Sequence, residues 1–470
     1  MFLAMVAVFV LGYTAIALEH PIKVDKAASA LITSVVLWVL FMIGSHEILT
    51  GPGKTFFQEF LGKNPDLARL PEHKQFLKFI VDHEIIHHLG EISEILFFLW
   101  GAMTIVETVD SHNGFKIITD KISTTNKVKL LWILSFLTFF MSAALDNLTS
   151  TIVMVTLLNK LIKEKKDRWF FASMIVIAAN AGGAWSPIGD VTTIMLWIGG
   201  QITAWGIIKG IFLVSLVNML IPLIIVSFFE KGHYEPPKVP EDDPNTASHK
   251  GERNLIFFLG VGALLSVPVF KTVTHLPPYM GMLGGLSILW IITDLMHRKA
   301  NPDKKKQCMI TSVLKKIDAP TIFFFLGILS AVAALQSAGH LHLLSTYLDE
   351  KLHNIYFIDM AIGLLSAIVD NVPLTAGGMG MYPIQEPHML QTITDPTTLA
   401  WAQNFVQDGL FWEFLAYTAG TGGSILIIGS AAGVAAMGLE KIDFIWYLKR
   451  MSLLALSGFL GGSLIYYLIK

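Results

Sequence analysis

A single cysteine, Cys308, stands in a chain of 470 residues. An intrachain disulfide is therefore excluded, and so is a metal site built from a thiolate cluster. Charge is scarce too: Asp, Glu, Lys and Arg make up 15% of the chain, against about 25% in soluble domains. What charge there is nearly cancels, for a net −2, so neither nucleic acid nor an acidic partner is indicated. The first apolar run, Phe2 to Leu18, lacks a basic leader and a small-residue cleavage site and reads as a span, not a signal peptide. What is present is apolar. Hydrophobic residues make up 53% of the chain, in repeated runs near the ~20 residues that cross a bilayer. The fold class is an all-α polytopic membrane protein surrounded by lipid.

We read ten crossings and two re-entrant hairpins. In the first half the spans lie near 2–18, 27–43, 85–110, 169–198 and 204–229, with a hairpin near 130–159. In the second they lie near 254–270, 280–296, 320–337, 409–438 and 450–469, with a hairpin near 356–382. The polar segment 230–253, with Pro236, Pro237, Pro240 and Pro244, reads as a cytoplasmic linker. Five crossings per half is an odd number, so 1–229 and 254–470 run in opposite orientation, the inverted-repeat plan of secondary transporters. Loop charge gives the same topology. Lys160, Lys163, Lys165, Lys166 and Arg168 follow the first hairpin, whereas 383–408 has no Lys or Arg and carries Glu386, Asp395 and Asp408. The positive-inside rule puts the first loop in the cytoplasm with the basic loop 297–319, and the second outside.

Two polar stretches in this background are alike. Ser142, Asp146, Asn147 and Thr151 recur as Ser366, Asp370, Asn371 and Thr375, each 224 residues on. A carboxylate at bilayer depth costs roughly 2.5–3.5 kcal/mol on insertion scales and is a functional candidate by default. Asn147 in one copy, and Pro373 with Gly377 and Gly378 in the other, are expected to break or cap a helix there. Broken backbone at this depth survives only inside protein or along a watery cavity. The plain alternative, a polar kink, is weakened by the matched offsets. Asn180-Ala181-Gly182-Gly183 with Pro187-Ile188-Gly189-Asp190 also align, at an offset of 240, with Gly420-Thr421-Gly422-Gly423 and Ile427-Ile428-Gly429-Ser430. Glycine pairs in an apolar run indicate an unwound crossing or close packing of helices.

His83-Glu84-Ile85-Ile86-His87 matches H-E-x-x-H, in which two histidines on one helix face bind zinc and the Glu acts as base. An intramembrane metalloprotease is thus a rival, but no Asn-Pro-Asp-Gly or Leu-Asp-Gly segment supplies a third ligand. The same stretch puts His83, His87, Glu91 and Glu94 on one face, at steps of 4, 4 and 3. His87 and Glu94 are candidates for sensing pH or passing protons; an interfacial polar stripe is the alternative.

Three stretches resemble the NhaD-type Na⁺/H⁺ antiporters: 90–107, 142–151 and 180–193. More distantly, the paired hairpins and the Pro-Ile-Gly turn are similar to the wider ion-transporter superfamily, with its arsenite permeases and dicarboxylate/sodium symporters. The resemblance implies a homodimer in a bacterial inner membrane. Its scaffold spans would be 1–110 and 254–337, and its mobile transport parts 130–200 and 356–438, moving as an elevator. It implies a secondary transporter, not an enzyme, that exchanges cytoplasmic Na⁺ or Li⁺ for external H⁺ at alkaline pH without a cofactor. It assigns transport to Asp146, Asn147, Thr149, Asn180, Asp190, Thr192, Thr193, Asp370 and Asn371, with Glu94 on the third span. Thr375 and Ser430 occupy the matching places of the second half, and Na⁺ is expected at Asp146, Asn147, Asn180, Asp370 and Asn371. Ser430 stands where the first half has Asp190, so the halves are not chemically equivalent.

Sodium is a hard cation that suits oxygen ligands. Asp146, Asp190 and Asp370 favour it over a dicarboxylate or arsenite, which would more naturally meet Ser, Thr and helix N-termini. Exchange then needs only competition: Na⁺ binds an ionised carboxylate, a proton occupies the same group, and each ligand weakens the other.

Overall fold

The computed structural model describes residues 1–119, 122, 124–234, 250–298 and 308–470. Most of the linker 230–253, and Lys304 with the middle of loop 297–319, lie outside the described residues. Among those described, the regular structure is helical, with no strand. Among the described residues, eight helices are long and apolar enough to cross a bilayer: Lys26–Ile43, the stretch Glu72–Ser111, Lys127–Leu145, Ala204–Phe229, Lys250–Thr274, Pro278–His297, Ala319–Ser337 and Ser452–Ile469. The expected span 2–18 is the shorter helix Phe2–Ala17. The chain is a multi-pass membrane protein.

Two compact units divide it. The first comprises Met1–Leu96, Asp318–Ile358 and Val372–Ile384, the second Phe97–Ile317, Asp359–Asn371 and Gln385–Lys470. In the first unit, helix Lys26–Ile43 buries Ala30, Ser34, Leu37 and Phe41 on one face and leaves Ile32, Val35, Val39 and Ile43 exposed. That outward apolar stripe suits lipid. The inward one packs on Ala319–Ser337, where a Cβ on Gly327 would meet the Leu31 backbone nitrogen at 2.6 Å. Ser34 donates to Ser330 Oγ (2.8 Å) and the Trp38 indole to the Ser330 carbonyl (3.1 Å). Small residues and interhelical hydrogen bonds do this work because lipid gives apolar helices no drive to associate.

The second unit holds the first hairpin and both broken crossings. The hairpin is Lys127–Leu145, a reversal at Asp146, and Asn147–Leu161. The crossings are Lys165–Ala184 followed by Val191–Ile198, and Leu410–Gly422 followed by Ala431–Glu440. The expected interruptions at 169–198 and 409–438 are therefore real gaps in helix, opened at the glycine pairs. The second hairpin consists of Ile355–Leu365 and Asn371–Met381. Its break falls at 366–370, not at the expected Pro373 and Gly377-Gly378, which are helical. Pro373 lies in the first turn, where a missing N–H leaves no intrahelical bond unmade.

The same contacts hold hairpin to crossing in both places. A Cβ on Gly182 would stand 2.2 Å from the Phe139 carbonyl oxygen, and one on Gly422 would stand 2.0 Å from that of Gly363. Ser142 Oγ donates to the Ala179 carbonyl (2.6 Å) and Ser366 Oγ to that of Ala419 (2.7 Å). Each pair is related by the offsets of 224 and 240 read from the sequence.

Candidate ion-binding site

The two gaps and the two turns bring polar residues of the second unit together. Asp190 ends the first gap in an extended conformation (φ −147°, ψ 151°) and caps Val191–Ile198. Its backbone N–H donates to Thr193 Oγ1 (3.3 Å), which in turn donates to the Asp190 carbonyl (2.9 Å). The Asp190 side chain, 1% exposed, is the hub. Asn147 Nδ2 donates to its Oδ2 at 2.9 Å and Asn371 Nδ2 to the same oxygen at 3.2 Å. One amide thus arrives from each Asp-Asn turn.

Asn147 also donates to Asn180 Oδ1 (3.0 Å), and Asn180 Nδ2 donates across the second gap to Ser424 Oγ (2.8 Å) and Ser430 Oγ (2.9 Å). Ser430 matches Asp190 in backbone (φ −141°, ψ 153°) and in capping the next helix, but carries a hydroxyl. Gly420, in the place of Asn180, is close enough that a Cβ would lie 3.4 Å from Asp190 Oδ2. Thr192 Oγ1 is buried beside the hub without a hydrogen-bond partner among the described residues.

Asp146 plays a different part. It turns the hairpin alone, at φ 73° and ψ 160°, a region that residues other than glycine rarely occupy and that collects at functional sites. Its Oδ1 accepts the Thr149 N–H (2.8 Å) and its Oδ2 the Thr149 hydroxyl (2.9 Å). A cavity of about 20 Å³, lined by Leu145, Asp146, Ile188 and Ile194 among others, adjoins it, room for a particle of water size. Asp370 is half-buried just before the second turn's helix. Among the described residues, no Lys or Arg forms an ion pair with Asp146 or Asp190. Both cap helix N-termini, so the positive end of each helix meets a carboxylate of its own chain.

Thr375, buried, and Glu94, half-buried, fall in the first unit. There the helix runs with π-type turns over Lys78–Ile85. His87 is largely exposed, with Nε2 3.4 Å from Glu91. The buried histidine is His88, which sequence reasoning passed over: its Nδ1 lies 3.2 Å from Glu91 and its Nε2 3.6 Å from Glu84. Glu84 also accepts from Ser337 Oγ at 2.5 Å, so the Glu of the H-E-x-x-H match is engaged by its own unit. Ser424 and Asp359 were missed as well. Asp359 is fully buried, with neither carboxylate oxygen hydrogen-bonded among the described residues. The 224-residue offset could have flagged it, since it pairs Asp359 with Ser135, also buried without a partner.

Residues 4–403 match the citrate transporter family, CitMHS. The sequence is 43% identical to "Sodium/proton antiporter 1" of Arabidopsis thaliana, over 98% of this chain and 72% of the relative. It is 40% identical to "Sodium/proton antiporter 2" of the same plant, over 98% of both chains. It is 29% identical to the "Na(+)/H(+) antiporter NhaD" of Vibrio cholerae, over 95% of this chain and 87% of that one. These families are transporters, not enzymes, and the metalloprotease reading of His83 and His87 falls with that.

Proposed function

The chain belongs to the citrate transporter family, among NhaD-type sodium/proton antiporters, and from that premise we propose that it exchanges cytoplasmic Na⁺ or Li⁺ for external H⁺. The observation that carries the reading is Asp190, a buried carboxylate held by an Asn from each turn, with no basic partner among the described residues. A buried carboxylate without a fixed counter-ion needs a mobile one, and Na⁺ and H⁺ are the two candidates. Asn147, Asn180 and Asn371 suit the alternation. Rotating an amide about its last torsion replaces an N–H donor with an oxygen ligand, the change required when a hard cation takes the place of a proton. Asp146 and Asp370 at the turns, with Thr149, Thr192, Thr193 and Ser430, supply further oxygens; in the first unit, which also holds Thr375, His87 and Glu94 are proposed to tune the pH response.

Citrate, named in the family description, is a polyanion. Two of the helix N-termini that could receive an anion are already capped by Asp146 and Asp190, with the neutral Ser430 capping Ala431–Glu440, and those two carboxylates favour the cation.

The repeated contacts support a repeat of 1–229 and 254–470 about the linker 230–253; we further propose that it is inverted, with scaffold spans 1–110 and 254–337 and transport parts 130–200 and 356–438 moving as an elevator within a homodimer. Sodium and pH homeostasis at alkaline pH is the physiological role that follows. The bacterial inner membrane is our assignment; similarity to the plant antiporters makes a plant membrane the competing one, and fractionation decides. The test is acridine-orange dequenching in everted vesicles. Na⁺ or Li⁺ should dequench, citrate should not, and Asp190→Asn should abolish the signal at unchanged protein level. Citrate uptake without Na⁺-driven proton movement would overturn the proposal.

A further inference from the structure

Away from the ion cluster, one group of buried side chains in the second unit has metal-ligand chemistry: His112, His297 and Cys308. Helix Ile86–Ser111 ends just before His112, helix Pro278–His297 ends on His297, and Cys308 precedes helix Ile310–Val313. Ligand atoms from the three lie within 4.8 Å of one another. Each histidine ring is oriented in the same way. His112 Nδ1 is 2.7 Å from the Thr108 carbonyl and His297 Nδ1 is 2.8 Å from the Thr293 carbonyl, four residues back in both cases. A carbonyl only accepts, so Nδ1 carries the proton in both rings and Nε2 is the atom with a lone pair to offer. Backbone carbonyls play this outer-shell role for metal-bound histidines, fixing tautomer and ring plane together.

We propose that His112 Nε2, His297 Nε2 and Cys308 Sγ form a transition-metal site of the kind that takes Zn²⁺, with Glu252 as fourth ligand or as a hydrogen-bonded neighbour. Tetrahedral zinc, with Zn–N of about 2.0–2.1 Å and Zn–S of about 2.3 Å, holds its ligand atoms about 3.5 Å apart. Ligand atoms already within 4.8 Å of one another reach that spacing with side-chain movements of about 1 Å. Glu252 Oε1 stands 2.8 Å from His297 Nε2. With Nδ1 committed to Thr293, that contact needs a second ring proton or a cation, and a metal supplies the latter. Binding releases the thiol proton. The resulting thiolate, together with the Glu252 carboxylate, neutralises a divalent ion and so suits burial. Thiolate and imidazole select Zn²⁺ or Cu⁺ over Na⁺, Mg²⁺ or Ca²⁺, so the site would not compete for the transported ion. It shares no residue with the Asp190 cluster and does not rest on the transport reading. Its consequence is mechanical: the ends of two spans, the start of Lys250–Thr274 and the Cys308 segment become one cross-linked group.

The test uses the purified full-length protein in detergent, stripped with a chelator and titrated with Co²⁺. The expected result is a single Co²⁺ per chain with the visible bands of tetrahedral cobalt and a near-ultraviolet thiolate charge-transfer band, displaced by Zn²⁺. Cys308→Ser should remove the charge-transfer band, and His112→Gln should remove the tetrahedral spectrum. Glu252→Gln should weaken binding roughly 10–100-fold if Glu252 acts from the outer shell. An octahedral spectrum without a thiolate band, or equal binding by Cys308→Ser, would overturn the site. His297 and Glu252 would then be a plain imidazolium–carboxylate pair.

Discussion

The first Asp-Asn turn reverses through one non-helical residue, Asp146, and the second through five, 366–370. The first broken crossing carries Asn180 and Asp190 at places where the second carries Gly420 and Ser430. Yet both hairpins press a backbone carbonyl against a glycine and tie a serine hydroxyl to a carbonyl in the same pattern. The contacts that build the gap recur in both places, whereas of positions 190 and 430 only 190 carries a carboxylate. The second half contributes neutral groups to that charge: Asn371 donates to Asp190, while Ser424 and Ser430 accept from Asn180. In our proposal Asp190 is the hub that takes one cation or one proton at a time, as competitive exchange requires, with Asp146 and Asp370 as its ionisable neighbours.

The largest effect should come from moving the charge. Asp190→Ser gives the first gap the hydroxyl of the second, and Na⁺-driven proton movement should fall to background. Ser430→Asp adds the missing carboxylate and should leave exchange measurable, because Asp190 and both of its amide donors stay in place. The informative variant is the double one. Asn147 and Asn371 converge on position 190 and not on 430, so Asp190→Ser with Ser430→Asp should remain inactive in the dequenching assay. Recovery of exchange would mean that the gaps are interchangeable and that the difference between them carries no function.

A smaller effect should fall equally on both sides. Gly182→Ala and Gly422→Ala each put a methyl group 2.2 Å and 2.0 Å from a facing carbonyl oxygen, so the hairpin must move away. Overpacking of this kind costs about 1–3 kcal/mol. Thermal unfolding in detergent should show similar falls for the two variants. A fall in one alone would break the claim that the two gaps are built by the same contact.

Most of the fold was legible because membrane helices announce themselves. The span 204–229 is helix Ala204–Phe229, and 320–337 is Ala319–Ser337. The gaps were legible because glycine pairs repeat at one offset. What could not be read was convergence. Asn147, Asn371 and Asp190 lie far apart in sequence, and only tertiary packing shows that the two amides meet on one carboxylate. Nor could the sequence show that Asp146, one of the five residues expected to hold Na⁺, gives its side-chain hydrogen bonds to Thr149, in the manner of a cap. His88 was hidden by counting at α-helical steps along a helix that is π-wound over Lys78–Ile85. Pro373 misled because a proline three residues after a break was read as its cause.

The smallest difference expected between the two sides is at Ser142 and Ser366. Each hydroxyl donates to a carbonyl inside the first helix of its crossing, Ala179 in Lys165–Ala184 and Ala419 in Leu410–Gly422. The Ala179 carbonyl lies inside its helix and also accepts a helical N–H, whereas Ala419 is among the last four carbonyls of Leu410–Gly422, where the Gly423 N–H turns to Thr421, so loss of the Ser366 hydroxyl leaves its acceptor less well paired. The expected cost is that of one neutral hydrogen bond, about 0.5–1.5 kcal/mol. Alanine occupies slightly less volume than serine, so no clash is added. Ser142→Ala should therefore lower the unfolding temperature by a small amount and Ser366→Ala by somewhat more, and the double variant by about their sum, since each serine bonds within its own hairpin–crossing pair. Exchange at saturating Na⁺ should persist in all three. If Ser142→Ala alone abolished exchange while unfolding at the wild-type temperature, the serine would belong to the ion path instead of the framework, and the first half would hold a ligand that its sequence twin does not.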